Sequence, residues 1–449
     1  MADANTDENG EAWPPARTGW TVVAMLCGAA LASQLDRMII NLLVEPIKAD
    51  LNLSDTGFAT LQGFAFGLFY VTMTVPIGWI ADRFQRRLVI AGGLGLFSAF
   101  SMGTGFTHSY WQLFFSRTGV GIGEASLFPA GFSMISDHFP REKLGRAIGF
   151  FTMSSMLGTG LAYIFGGALI GWLTTHQAAN PDAFFGLKAW QLTFIVIGLP
   201  GLLLAPFFLL LREPVRRGRL GREGEKVPTS RLFAEVWARR GALGYMFTGF
   251  SMVALVSYAL AIWTPALFIR VYGWTPAQIG LWLGLQYLTF GIGGGIFAGF
   301  LNDHLAKRGM LDAPLKVAAY GFIGVSVLGG LAPLMSSPWM ALALLGPVHF
   351  MVSIPFSCAA TSLQLILPNE LRSQVSGLYI SLITIIGLVI GPVLVAQITD
   401  RVFDGPSDVR YSMALVIALA GPVMFACMLA ACRNYRLLRT QRNALAPAG

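Results

Sequence analysis

The feature that most constrains this chain is a succession of about twelve apolar runs, each close to the roughly 20 residues a helix needs to cross a bilayer. They fall at 19–45, 55–81, 88–107, 110–137, 144–173, 189–211, 241–269, 277–301, 314–335, 339–367, 373–399 and 411–433. In hydrocarbon, every backbone N–H and C=O must be satisfied internally, so runs of this kind predict spanning helices. Gly and Pro recur inside them, as membrane helices tolerate. The 449 residues would suit about three soluble domains by length alone. Only 12% are charged, against roughly 25% in soluble proteins, and one membrane-embedded unit is the better expectation. The pattern predicts an all-α membrane protein.

The net charge of +8 does not indicate nucleic acid, because the basic residues sit in short loops between apolar runs. With the N-terminus inside, one set of loops holds Arg83, Arg86, Arg87, Arg141, Lys143, Arg146, Lys307, Arg308, Lys316 and Arg372, and the C-terminal tail adds Arg433, Arg436, Arg439 and Arg442. The opposite loops hold few: Lys48, Lys188, Arg270, Arg401 and Arg410. This asymmetry predicts that both ends face the cytoplasm, in a cell (inner or plasma) membrane. The first 18 residues are acidic and polar and lack the basic start and cleavage site of a signal peptide, so the first run is expected to remain as an anchor. Cys27, Cys358, Cys427 and Cys432 all lie in apolar runs and are expected to pack as small hydrophobes.

A basic connection, 212–240, splits the chain near its middle. It is expected to be a solvated linker, with anionic lipid headgroups as an alternative partner. The domains expected are a tail at 1–18, a six-helix bundle at 19–211, this linker, a second bundle at 241–433 and a tail at 434–449. The halves repeat: GWIADRFQRR at 78–87 aligns with GFLNDHLAKR at 299–308, an offset of 221. PREKLGRAIG at 140–149 aligns loosely with PNELRSQVSG at 368–377, an offset of 228. Repeats of this kind predict two six-helix bundles related by pseudo-twofold symmetry, the arrangement of two-bundle transporters.

The stretch from Gly78 through Asp82, Arg83, Arg86 and Arg87 resembles the loop signature of the major facilitator superfamily, departing from it at Gln85, where glycine is usual. Its repeat keeps Asp303 and Lys307. Leu35-Asp36-Arg37 and the stretch Arg117 to Ser126 are similar to hallmarks of the spinster branch. The run Gly158 to Gly167 lacks the proline of the drug–proton antiporter signature, which argues against a multidrug exporter. The resemblance implies the major facilitator fold, alternating access, export of lysolipids or sphingoid phosphates, and proton coupling. It also implies that Asp82 acts as a cytoplasmic gate against the start of the eleventh span, near 370–373, and Asp303 against the fifth. Topology alone explains the arginines of the loop but not the repeated Asp.

Ionisable residues within spans are costly and are functional candidates by default. Asp36, Arg37, Arg117 and Glu124 qualify in the first half; the second half offers only His349. At about 1.5 Å per residue, Arg117 lies near the level of Asp36 and Arg37, with Glu124 roughly 10 Å deeper. Arg117 and Glu124, seven residues apart, share a helix face. Burial and a neighbouring guanidinium pull a carboxylate's proton affinity in opposite directions. The expectation is that Glu124 is the proton-responsive group, that Asp36 holds Arg37 or Arg117 or shares the proton, and that Arg37 and Arg117 bind a phosphate or carboxylate headgroup. The alternative is a static ion-pair set that fixes helix packing. Tyr258 and Trp263 are weaker cavity candidates, as are Gln286, Thr264, Ser353, Ser357 and Tyr379, each equally explained by interhelical hydrogen bonding or packing; His349 is a weaker candidate still, a lone histidine on an apolar helix being more often hydrogen-bonded packing than a proton site. Gly119, Gly121 and Gly123 are expected to serve close packing.

No HExxH, P-loop or Cys/His cluster points to catalysis, a metal or a cofactor, so no enzyme is expected. The expected partners are the bilayer, protons and an amphipathic small molecule, with no nucleic acid, and the chain is expected to act as a monomer. The alternatives are a proton-coupled symporter of a small organic anion or sugar acid, a membrane-embedded enzyme and a channel.

Overall fold

The computed structural model describes residues 13–180, 184, 186–216, 236–367, 369–403 and 405–445. The extreme N-terminus, most of the basic linker and the side chains of 368–374, expected to face Asp82, lie outside what is described. The described residues are nearly all helical. Before the linker come α1 (Ala16–Leu42), α2 (Val44–Leu51), α3 (Asp55–Arg83), α4 (Arg86–Thr104), α5 (Tyr110–Glu124), α6 (Leu127–Ser136), α7 (Arg141–Ala179) and α8 (Ala189–Leu210). After it come α9 (Arg240–Tyr272), α10 (Pro276–Lys307), α11 (Ala313–Leu331), α12 (Pro338–Ile366), α13 (residues 369–402) and α14 (Val409–Leu445).

Among the described residues, eleven helices are long and apolar enough to cross a bilayer. The twelfth expected span, 110–137, is present as α5 and α6, broken at Ala125 and Ser126. The break has a local cause. Pro129 has no N–H to give to the Ala125 carbonyl, so the i→i−4 ladder is interrupted there. Ser126 turns its hydroxyl onto the Gly123 carbonyl at 2.9 Å. The fold is therefore the all-α, twelve-span architecture expected, with six spans on each side of the linker. Helix α14 runs past the expected boundary at 433, to Leu445. Three spans contain π-helical stretches: Leu61–Leu68 in α3, Tyr287–Gly291 in α10 and Ile385–Ile390 in α13. Such stretches occur often at functional sites.

The described chain groups into two compact units. The first draws on Met1–Leu53, Phe64–Arg222 and Thr275–Gly284; the second on Ser54–Gly63, Glu223–Trp274 and Leu285–Gly449. In the first unit, α1 packs along α7, and α4 along α8 and α5. The start of α10 joins this unit because glycine lets it lie directly on α7. A Cβ at Gly280 would stand 2.4 Å from the Tyr163 carbonyl oxygen, a separation no side chain can take. In the second unit, α14 packs on α9 and α11, and α11 on α12.

The start of α3 joins the second unit through an ion pair. Arg270 donates from Nη1 and Nη2 to the two oxygens of Asp55, each at 2.7 Å, and from Nη1 to the Pro406 carbonyl at 3.1 Å. The side chains are 4% and 2% exposed. The Thr56 N–H donates to Asp400 at 2.8 Å. This corrects the expectation that Arg270 is a loop residue. Asp55 opens a helix of the first half by sequence, so its pairing with a residue 215 positions later carries no local signal.

Breaking a buried pair by removing one partner typically costs about 3–5 kcal/mol, because the other charge is left uncompensated. Asp55→Ala is therefore expected to lower the thermal unfolding midpoint of the detergent-solubilised protein by several degrees, and Asp55→Asn, which keeps an acceptor, by less. Midpoints equal to that of the unsubstituted chain in both variants count against a stabilising role for the pair.

Candidate functional site

Four intramembrane charges of the first unit meet between α1 and α5. Adjacent residues on a helix point about 100° apart, so Asp36 and Arg37 take different partners. Arg117 donates from Nη1 to Asp36 Oδ2 at 2.8 Å, and Arg37 from Nη2 to Glu124 Oε2 at 2.5 Å. Acid and base are thus crossed: α1 supplies one of each and α5 answers with one of each. Of the alternatives open for Asp36, the structure selects Arg117. Ser101 of α4, which the sequence did not single out, donates to the second oxygen of Asp36. Asp36, Arg117 and Glu124 are 1%, 0% and 2% exposed, whereas the Arg37 side chain retains 14%.

The surroundings are aromatic. The Arg37 guanidinium lies 5.0 Å from the ring centres of both Phe66 and Tyr70, and that of Arg117 lies 5.4 Å from Phe66. Phe66 sits in the π stretch of α3. Cation–π attraction strengthens as water is removed, so these faces hold the guanidiniums where few oxygens compete. Glycine makes this approach possible. A Cβ at Gly121 would lie 2.6 Å from the Phe66 carbonyl oxygen, and one at Gly123 would lie 2.6 Å from the Phe97 nitrogen of α4. Without side chains at these positions, α5 can press its charged face into α3 and α4.

Arg117 does not spend all its donors on protein. Its Nε and Nη2, and Oε1 of Glu124, are buried without a hydrogen-bond partner among the described residues. An unanswered buried donor costs about 1–3 kcal/mol, and more when charged. The arrangement is therefore suited to an anionic guest: two guanidiniums on aromatic faces, one carboxylate, Asp36, engaged by Arg117 and Ser101, and one, Glu124, with an oxygen that has no hydrogen-bond partner among the described residues.

The loop motif is built differently. Arg86, expected in a solvated loop, is 1% exposed. It pairs with Asp137 beyond α6, donates from Nε to Glu213 at 2.8 Å, and donates to the Ser133 carbonyl at 3.0 Å. Glu213 accepts the backbone N–H groups of Arg86 and Arg87, both at 3.2 Å, at the N-terminus of α4, where a carboxylate is favoured by the helix dipole. Arg87 donates to the carbonyls of Leu209 and Leu211 at 3.2 and 2.8 Å. Arg216 donates to the carbonyls of Ala81, Asp82 and Phe84, at the C-terminus of α3. The first residues of the expected solvated linker are therefore bound to the motif. Gly78 lies near Pro129, Arg83 covers the Trp79 ring at 3.4 Å, and Asp82 and Asp303 are exposed at the ends of α3 and α10.

Of the weaker candidates, Trp263 is fully buried and its Nε1 donates to the Pro392 carbonyl at 3.0 Å, so it is a packing residue and not a cavity wall. Tyr258 is half-buried against Gly387. His349 is buried on α12, with its Nδ1 3.0 Å from Gln286 Oε1.

The sequence model of the Major Facilitator Superfamily matches residues 26–392. An MFS-type efflux pump of Mycolicibacterium smegmatis is 26% identical over 94% of this chain and 94% of its own length. A probable L-galactonate transporter of Escherichia coli is 29% identical, covering 66% of this chain and 64% of its own. Protein spinster of Drosophila melanogaster is 24% identical, covering 87% of this chain and 64% of its own. A solved bacterial homologue of the human lysosomal transporter Spinster superposes with a TM-score of 0.75 at 22% identity, covering 97% of this chain and all of the other.

Asp36→Ala strands Arg117 in the membrane interior and is expected to destabilise the chain by about 3–5 kcal/mol, whereas replacing both residues by apolar side chains recovers most of that loss. Thermal unfolding of the single and double variants in detergent tests this. A double variant no more stable than Asp36→Ala alone means the pair is not isolated from the rest of the cluster.

Proposed function

From the premise that this chain belongs to the Major Facilitator Superfamily and is a multi-pass secondary transporter, we propose that it moves an amphipathic lysolipid or lipid phosphate by alternating access, driven by protons. The observation that carries the reading is the Arg37–Glu124 pair standing beside Arg117, whose spare donors are buried and unanswered. Protonation of Glu124 removes the charge that holds Arg37. The freed guanidinium, with Nε and Nη2 of Arg117, then offers a planar set of donors matched to a phosphate or carboxylate. Arg117 stays oriented by Asp36 throughout. When Glu124 loses its proton, it competes with the headgroup for Arg37. Proton and anion affinity are thereby coupled reciprocally. The aromatic faces of Phe66 and Tyr70 suit the apolar part of such a molecule.

The similarity to protein spinster supports the lipid substrate. The similarity to a probable L-galactonate transporter supports a second reading, a proton-coupled symporter of a sugar acid, whose carboxylate meets the same two arginines. In either case we place Gly78, Asp82, Arg83, Arg86, Arg87 and Asp303 at a cytoplasmic gate. The protein works as a monomer in the cell membrane, both termini in the cytoplasm. The tie from Glu213 and Arg216 to the loop motif supports the gate, because it makes α3, α4 and the end of α8 move together.

The test is transport of a fluorescent lysophospholipid into proteoliposomes with and without an imposed pH gradient, beside a galactonate uptake arm. Gradient-driven lysolipid movement in the unsubstituted chain, reduced at least about tenfold in Glu124→Gln, is the expected result. Unchanged rate and pH dependence in Glu124→Gln removes the coupling role. Gradient-driven galactonate uptake with no lipid movement selects the sugar-acid reading.

A further inference from the structure

At the membrane face where α9 and α11 begin and the apolar run of α14 ends, the second unit carries more base than acid. Three sets of contacts bring these helix ends together. Asn434 of α14 donates from Nδ2 to the Gly241 carbonyl of α9 at 3.0 Å. Asp312, just before α11, stands 3.2 Å from Lys316 Nζ and 3.6 Å from Arg436 Nε. Arg439 donates from Nη1 to the Leu311 carbonyl at 3.0 Å. The one buried acid, Asp312, is thus shared between two bases. Arg240 and Arg433, next in sequence to Gly241 and Asn434, are exposed. Arg436 is exposed as well, and lies three residues beyond Arg433 on the same side of α14. Among the described residues, no ion pair involves Arg240 or Arg433.

The first unit shows the same corner with its charges balanced. Residues 226 positions apart exchange sign between the halves: Arg86 for Asp312, and Glu213 for Arg439. In the first unit the base at the start of α4 is answered by two acids, Asp137 and Glu213, while Arg87 and Arg216 donate to backbone carbonyls. In the second unit the exchange puts the acid at a helix start, where the dipole favours it. It puts the bases on α14, where one carboxylate cannot answer them all.

These bases lie at the level of the lipid headgroups. The apolar run of α14 ends at 433 and that of α9 starts at 241. Trp237 is 69% exposed, one turn before Arg240. The Arg240 guanidinium lies 5.0 Å from the indole centre and donates to the Trp237 carbonyl at 3.1 Å. Leu437, beside Arg436, is also exposed. Water would satisfy the guanidiniums but not the indole and the leucine. A medium that is apolar on one side and anionic on the other satisfies both.

We infer that this corner is a binding site for an anionic phospholipid: the headgroup phosphate meets Arg240, Arg433 and Arg436, and the apolar part lies against Trp237 and Leu437. The site uses none of the four charges between α1 and α5. It holds whether the transported molecule is a lysolipid or a sugar acid.

The test is native mass spectrometry of the full chain in detergent, with dioleoylphosphatidylglycerol or dioleoylphosphatidylcholine added; the two share acyl chains and differ in headgroup charge. Arg240→Gln combined with Arg433→Gln removes two exposed bases and leaves the Asp312 pairs in place. Arg17→Gln combined with Arg401→Gln, both exposed elsewhere on the chain, makes the same change in net charge. The unsubstituted chain is expected to hold phosphatidylglycerol at least about tenfold more tightly than phosphatidylcholine. The first double variant should weaken phosphatidylglycerol about tenfold or more, and the second by less than about twofold. Equal binding of the two lipids to the unsubstituted chain overturns the site without recourse to any variant. Undiminished binding in Arg240→Gln/Arg433→Gln overturns it too, as do equal losses in both double variants, which reduce the effect to net charge. Displacement of the lipid by inorganic phosphate overturns it in favour of a free-anion site.

Discussion

A charge inside a bilayer has to be answered within reach of its own side chain, and the first unit is arranged around that requirement. Asp36 and Arg37 are neighbours in sequence, so α1 cannot turn both away from lipid to the same partner. Helix α5 resolves this by presenting a base and an acid seven residues apart, about two turns, which meet them crosswise. The bare glycines of α5, the aromatic residues of α3 and Ser101 of α4 all follow from bringing these four groups together in a medium that offers no other counter-charge.

The two pairs are not equivalent. Asp36 is saturated by Arg117 and Ser101, a closed arrangement suited to holding position. Among the described residues Glu124 keeps an oxygen without a hydrogen-bond partner, and its arginine is the most exposed member of the set. A static brace explains the first pair well. It explains the second poorly, since a brace gains nothing from an open oxygen and a partly open guanidinium. A closed pair and an open pair thus start from neighbouring residues of one helix.

Much of this was legible in the sequence. Apolar run length located the spans, because the bilayer sets helix length directly, although α7, α10 and α14 continue as helix six to twelve residues beyond their apolar runs. The four charges stood out because hydrocarbon makes them expensive. What was hidden depended on partners distant along the chain. Arg86 and Arg270 looked like loop residues because each lies at the end of an apolar run, and their burial comes from Asp137, Glu213 and Asp55, which no local pattern links to them. Likewise Trp263 could by sequence be a cavity wall or a packing residue alike; the acceptor of its indole N–H is a backbone carbonyl 129 residues on. The break after Glu124 was foreshadowed by Pro129 but is easily lost inside a continuous apolar run.

The π stretches of α3, α10 and α13 have a consequence for how such a chain can vary. A π turn holds an extra residue within a helix that is otherwise α. The widened turn absorbs that residue, so the helical faces on either side of it stay nearly in register, and its loss would restore the ordinary pitch with little change in which face looks inward. These stretches are therefore points where a span can gain or lose one residue while its facing and hydrophobic length are almost kept, the change being confined to the widened turn itself.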